Sequence, residues 1–86
     1  MDDLIKLYNK IYTEKGYNGI IRALKRDLEF GEITFPSDNI TRVTTEGWSD
    51  DEEVLLALTS FKSMFGYNHY VGKLRGGVFY FAEQRE

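Results

Sequence analysis

One imidazole, one indole and two groups of charge are the side chains best equipped to do more than fill space in this chain. His69 is the lone histidine, and general-base catalysis needs such a ring within hydrogen-bond reach of the proton it removes. No serine or cysteine is placed to pair with it, so triad chemistry has no support. A small nucleotide hydrolase or nuclease using His69 is the enzymatic reading that survives. Asp50, Asp51, Glu52 and Glu53 form an unbroken acidic run. Carboxylates at a helix start already answer its dipole, which discourages phosphate binding there. They suit an Arg or Lys of a partner, or a divalent cation among hard oxygen ligands; the plainer reading is a solvated helix end. Lys73 and Arg75 suit a phosphate or acidic group, with Tyr80 as a ring on which a base can stack. Trp48 is either a plug between helix and sheet or a partly exposed contact of the kind that dominates interfaces. The spacings of a P-loop, a Rossmann fingerprint, a zincin and an EF-hand are all missing.

Periodicity supplies the elements that position these groups. Leu4, Leu7, Tyr8 and Ile11 recur at helical spacing, which predicts a helix from Asp2 to Lys15 that stops at Gly16. A second helix is predicted from Asn18 to Glu29, with Ile20, Ile21, Leu24 and Leu28 as its apolar stripe and Gly31 at its end. The period then changes. Glu32, Ile33, Thr34 and Phe35 alternate like a minor strand that stops at Pro36, and Ser37-Asp38-Asn39 is turn chemistry. Ile40 to Thr45 is β-branched at every position except Arg42, which predicts a strand. Ser49 and Glu52 have capping-box spacing at the start of a third helix reaching Ser63, whose buried stripe is Val54, Leu55, Leu58 and Phe61. Tyr67 to Leu74 and Val78 to Glu83 read as strands joined across Arg75-Gly76-Gly77, with the glycine pair as a two-residue turn signal.

A two-residue turn at Gly76-Gly77 would set Lys73 opposite Tyr80 and Leu74 opposite Phe79. Side chains alternate across a strand, so Tyr70, Leu74, Phe79 and Phe81 would face the core. His69, Val71, Lys73, Arg75, Val78 and Tyr80 would share the other face. That second face is a contact surface, an ordinary solvated sheet face with Lys73 across from Tyr80, or a face covered by the N-terminal helices, whose Arg22, Lys25 and Arg26 make that electrostatically awkward.

The expected fold is α+β. Two N-terminal helices precede a small antiparallel sheet of β-α-β-β order, with one helix packed on it and a C-terminal β-hairpin. Its 86 residues are too few for two cores, so 1–86 is read as one domain with a helical part (1–31) and a β-α-β-β part (32–86). The net charge of −3 argues against general nucleic-acid binding, which needs a basic excess to displace counterions. Without cysteine there is neither a disulfide nor a thiolate zinc site, as fits a reducing cytoplasm. No signal-peptide pattern opens the sequence and no apolar run approaches the ~20 residues that cross a bilayer, so no membrane partner is expected.

From Val43 to Glu83 the chain resembles a family of small phage and prophage proteins. The shared pattern is Thr45-Glu46-Gly47-Trp48-Ser49, Asp51-Glu52-Glu53, Ala57-Leu58 and then Arg75-Gly76-Gly77 with alternating aromatics. Where those proteins carry tryptophans before the turn and a histidine after it, this chain has Tyr67, Tyr70 and Val78. The resemblance implies a viral accessory protein acting in the bacterial cytoplasm. The function expected on that basis is stoichiometric antagonism of a host system, as by an anti-CRISPR or other anti-defence factor, with neither cofactor nor metal. One version sets Trp48, Asp50, Asp51 and Glu53 against a host protein, for instance a nucleic-acid-binding enzyme. The other sequesters a nucleotide signal through Lys73, Arg75 and Tyr80 or Trp48. A small oligomerising phage component is the structural alternative.

Overall fold

The computed structural model describes residues 2–46 and 50–84. Its elements are α1 (Asp2–Asp27), β1 (Glu32–Ser37), β2 (Ile40–Thr44), α2 (Asp50–Thr59), α3 (Met64–His69), β3 (Tyr70–Leu74) and β4 (Val78–Ala82). The fold is α+β, as its sequence pattern predicts.

α1 is not a single rod. A straight helix of its 26 residues would run about 39 Å, longer than the molecule's greatest extent of 30 Å. Gly16 interrupts it at φ 69°, ψ −159°, a conformation essentially confined to glycine. The chain doubles back there, and the Tyr8 hydroxyl donates to Asp27 Oδ2 at 2.7 Å across the resulting hairpin. The two predicted helices are the two arms. Their apolar side is turned slightly from the predicted stripe: Ile5 and Tyr8 are buried while Leu7 stands exposed. Burial pushes the Tyr8 hydroxyl pKa up, and the Asp27 carboxylate adds to the rise. Arg26 first, and then Tyr8, hold the Asp27 carboxyl below its ordinary range. Tyr8→Phe removes a hydrogen bond to a charged acceptor and is expected to cost about 1.5 kcal/mol. Calorimetry should show a melting temperature lower by about 6–12 °C; an unchanged value would mean the hairpin is not tied there.

The sheet has the order β1-β2-β4-β3 with every neighbouring pair antiparallel. Tyr8, Ile20, Leu24, Leu55, Leu58 and Phe65 from the helices meet Val43, Phe79 and Phe81 from the two central strands in one core. Helices therefore lie on one face of the sheet.

Three local expectations need correction. β1 is a full edge strand that runs through Pro36 to Ser37, because an edge position does not require the missing N–H. The predicted long third helix ends at Thr59, so Phe61 is not in its core stripe but 86% exposed. Ser63 instead caps a separate short helix, its hydroxyl accepting from Gly66 N at 3.1 Å. That helix takes up residues 67–69, where a strand is predicted. Gly66 permits it: a Cβ there would stand 2.3 Å from the Leu58 carbonyl oxygen. The capping box involves Ser49, which lies outside the described residues. Glu52 accepts from Thr45 Oγ1 at 2.6 Å.

Candidate functional site

Between β3 and β4 the pairs are Leu74↔Val78, Lys73↔Phe79 and Gly72↔Tyr80, followed by Tyr70↔Phe81 after an irregularity at Val71. The turn is therefore the three residues Arg75-Gly76-Gly77, with both glycines at positive φ. This overturns the predicted register. A slip of one residue sends a side chain to the opposite face, and Lys73 falls on the helix side with Phe79. Its Nζ lies 5.0 Å from the Phe79 ring centroid and 3.2 Å from Glu52 Oε1. Leu74, predicted to be core, is 58% exposed. Lys73 and Tyr80 do not share a face. Physically, Lys73 gains a carboxylate and a ring by turning inward, while Gly77 closes under β2 by accepting from Thr45 N at 2.7 Å.

Lys73 and Arg75 come together elsewhere, in an open groove of about 670 Å³ lined also by Glu46, Glu52, Leu74 and the two turn glycines. With two acids and two bases in its lining, the groove is charge-balanced.

On the face away from the helices the register brings Arg42 beside Tyr80 on the central strands, with Thr34 and Gly72 flanking them. Arg42 Nε donates to Thr34 Oγ1 at 2.9 Å, which fixes the guanidinium over the sheet. Its terminal nitrogens make no hydrogen bond or ion pair to a described residue. A Cβ on Gly72 would meet nothing within 4 Å, so there is free space beside the Tyr80 ring. A guanidinium and a phenol ring on a rigid ladder can grip an anionic group and a flat surface together. Arg42 is absent from the predicted site. The available signal was its being the one residue of its strand that is not β-branched, on the parity opposite Thr41 and Val43.

The acidic turn divides. Asp50 and Glu53 are exposed, with Glu53 beside Asp3, Leu4 and Leu7. Asp51, predicted to meet a partner, is 1% exposed. Its Oδ1 accepts from Glu29 N at 2.8 Å, and its Oδ2 accepts from Phe30 N and Gly31 N at 2.8 and 2.6 Å. Three successive amides make an anion nest, here filled by the protein's own carboxylate. Burial raises the Asp51 pKa, and the three amide donors outweigh it, leaving the carboxyl below its usual value.

His69, predicted on the same face as Tyr80, ends α3 and is buried, with Tyr12, Tyr17 and Phe65 around its ring. Its Nδ1 lies 2.8 Å from Ala82 O and must donate, since a carbonyl only accepts. In the neutral ring Nε2 then accepts from the Tyr12 hydroxyl at 2.9 Å, which in turn accepts from Asn68 Nδ2 at 3.3 Å. This tautomer follows from the network. Both nitrogens are engaged in joining α1, α3 and β4. Trp48 lies outside the described residues.

Among the described residues no group of three or more His, Asp or Glu side chains is arranged to hold a metal ion, and no helix is long and apolar enough to cross a membrane. Comparison with protein-family models, with curated proteins and with solved structures finds no match.

Proposed function

We propose that the chain is a non-catalytic binding protein and that the sheet face carrying Arg42 and Tyr80 is its contact surface. The observation behind this is the pre-set guanidinium: Thr34 holds Nε at 2.9 Å on the sheet face that carries Tyr80. Pre-ordering of this kind lowers the entropic cost of association. His69 supports the non-catalytic reading, because a ring with both nitrogens engaged in structural hydrogen bonds is poorly placed as a general base. The resemblance to small phage and prophage proteins supplies the setting. In that setting the chain antagonises a host defence system in the bacterial cytoplasm by stoichiometric binding. The nucleotide-sequestering version rests on the space over Gly72 beside Tyr80, where a base can stack.

The test expresses the chain in bacteria with an active defence system and measures phage plating. The wild type should restore plating, and Arg42→Ala with Tyr80→Ala should lower that restoration at least about tenfold, the equivalent of ~1.4 kcal/mol of binding. Melting temperatures of the two proteins should agree closely. A variant as active as the wild type would remove this face from the proposal. No restoration by the wild type, across a panel of defence systems, would end the antagonist reading. Thermal stabilisation by a cyclic nucleotide would select the sequestering version.

A further inference from the structure

An antiparallel sheet with open ends must protect its edges or use them. The two edges here differ. β1 carries Pro36, which removes a donor, whereas an irregularity in the pairing is common to both edge strands, between Thr34 and Ser37 in β1 and between Tyr70 and Gly72 in β3. β3 contains no proline, and its one charged side chain, Lys73, lies on the helix side and pairs with Glu52 at 3.2 Å while 41% exposed. The charge of a lysine that would discourage strand pairing is thus answered within the chain. From Ser63 to Gly72 there is no Asp, Glu, Lys or Arg, the longest such stretch in a chain where these types make up 29% of residues.

Large apolar side chains stand exposed along this same flank. Phe61 is 86% exposed, Tyr67 77%, Val71 56%, Leu74 58% and Met64 43%. Phe61, Met64 and Tyr67 line one open hollow of about 370 Å³, and α3 runs directly into β3. The flank is also rigid. Ser63 caps α3, Asn9 Oδ1 accepts from Met64 N at 2.8 Å and Asn9 Nδ2 donates to Lys62 O at 3.2 Å.

We infer that this flank joins two copies of the chain, β3 pairing antiparallel with its twofold mate while Phe61, Met64 and Tyr67 pack against the same residues of the second copy. An antiparallel strand is its own complement about a twofold axis, since the row of amide and carbonyl groups on one copy matches the row on the other. Charge selects the same occupant. Two chains of net charge −3 repel less where acidic groups are missing, as they are from Ser63 to Gly72 of this flank. Area agrees too: at ordinary side-chain sizes the five exposed groups offer on the order of 600 Å² per copy. Edge backbone brings this close to the ~800 Å² per partner of a standard interface. The dimer's sheet is continuous across both copies, with two Arg42–Tyr80 pairs on one surface.

Sedimentation velocity on the purified full chain tests this without any target, so its result is independent of the proposed function. Between about 1 and 200 µM, a span covering ~3 kcal/mol of association energy, the mass should rise from the 10.0 kDa of one chain to twice that. Val71→Lys with Leu74→Lys, both at exposed positions, should weaken the dimer at least tenfold with an unchanged circular dichroism spectrum. Tyr67→Lys, outside the strand, should do the same and decides the matter if the strand variant does not fold. A single-chain mass at every concentration overturns the inference. So does a dimer that Tyr67→Lys and a folded strand variant leave intact, since its interface would then lie elsewhere.

Discussion

Asp51→Ala is expected to cost about 4 kcal/mol and to leave the chain barely folded at room temperature. Three buried amides lose their acceptor at once, and each unsatisfied donor carries a penalty of roughly 1–3 kcal/mol. A domain of this kind has only about 5–15 kcal/mol in total. Asp51→Asn should fall between. Its oxygen in the place of Oδ2 keeps Phe30 N and Gly31 N, while its amide nitrogen confronts Glu29 N as donor against donor. Urea unfolding would show wild type, asparagine and alanine in descending order of midpoint at a common slope. The pH dependence has a definite sign. The folded pKa lies below the ordinary 3.8, so the contribution is fully present above that value and is lost as pH falls through the depressed folded pKa. Asp27 acts in the same direction. Acid unfolding of the wild type should begin below about pH 4, and Asp51→Asn should flatten that limb. An Asn variant with the wild-type acid limb would show that the nest is not what fails.

Gly66→Ala should be the next most damaging change, although alanine is the better helix former. The added carbon would meet the Leu58 carbonyl oxygen at 2.3 Å, with more Leu58 and Thr59 backbone at 3.3 Å. Backbone on both sides leaves no flexible side-chain end to move aside, so α3 must lift from α2. Overpacking of this sort costs about 3–4 kcal/mol, and helix propensity returns about 1. The net loss of about 2–3 kcal/mol should lower the melting temperature by roughly 10–20 °C. Gly72→Ala is the internal control, because nothing lies within 4 Å of the added carbon; it should melt with the wild type. Equal melting of all three proteins would mean that α3 is not seated against α2.

What the sequence allowed to be read follows physical lines. Helical stripes and β-branched runs are local signals, and they located both arms of α1, the start of β2 and the whole of β4. The break at Gly16 was legible because a glycine between two apolar stripes has few other uses. α3 was not. Tyr67, Asn68 and His69 have no strong helical preference, and what bends them is a long-range fit of Gly66 against Leu58. Asp51 was hidden within a run of four carboxylates, since only the folded chain distinguishes the one whose neighbours are three amides. Arg42 lay in plain sight with a readable parity, but the louder pair Lys73 and Arg75 drew the inference to the other hairpin.

The irregularity at Val71 has its own consequence. The extra residue there and the third residue of the turn are two single-step slips in the same direction, and because side chains alternate with a period of two, only Gly72, Lys73 and Leu74 change face between them. Tyr70 pairs with Phe81, two residues short of the Glu83 that a two-residue turn would set opposite it, yet keeps the face expected of it. Removing Val71 would therefore preserve every remaining rung of this ladder, and evolution can vary the outer flank by gaining or losing one residue without disturbing the core behind it.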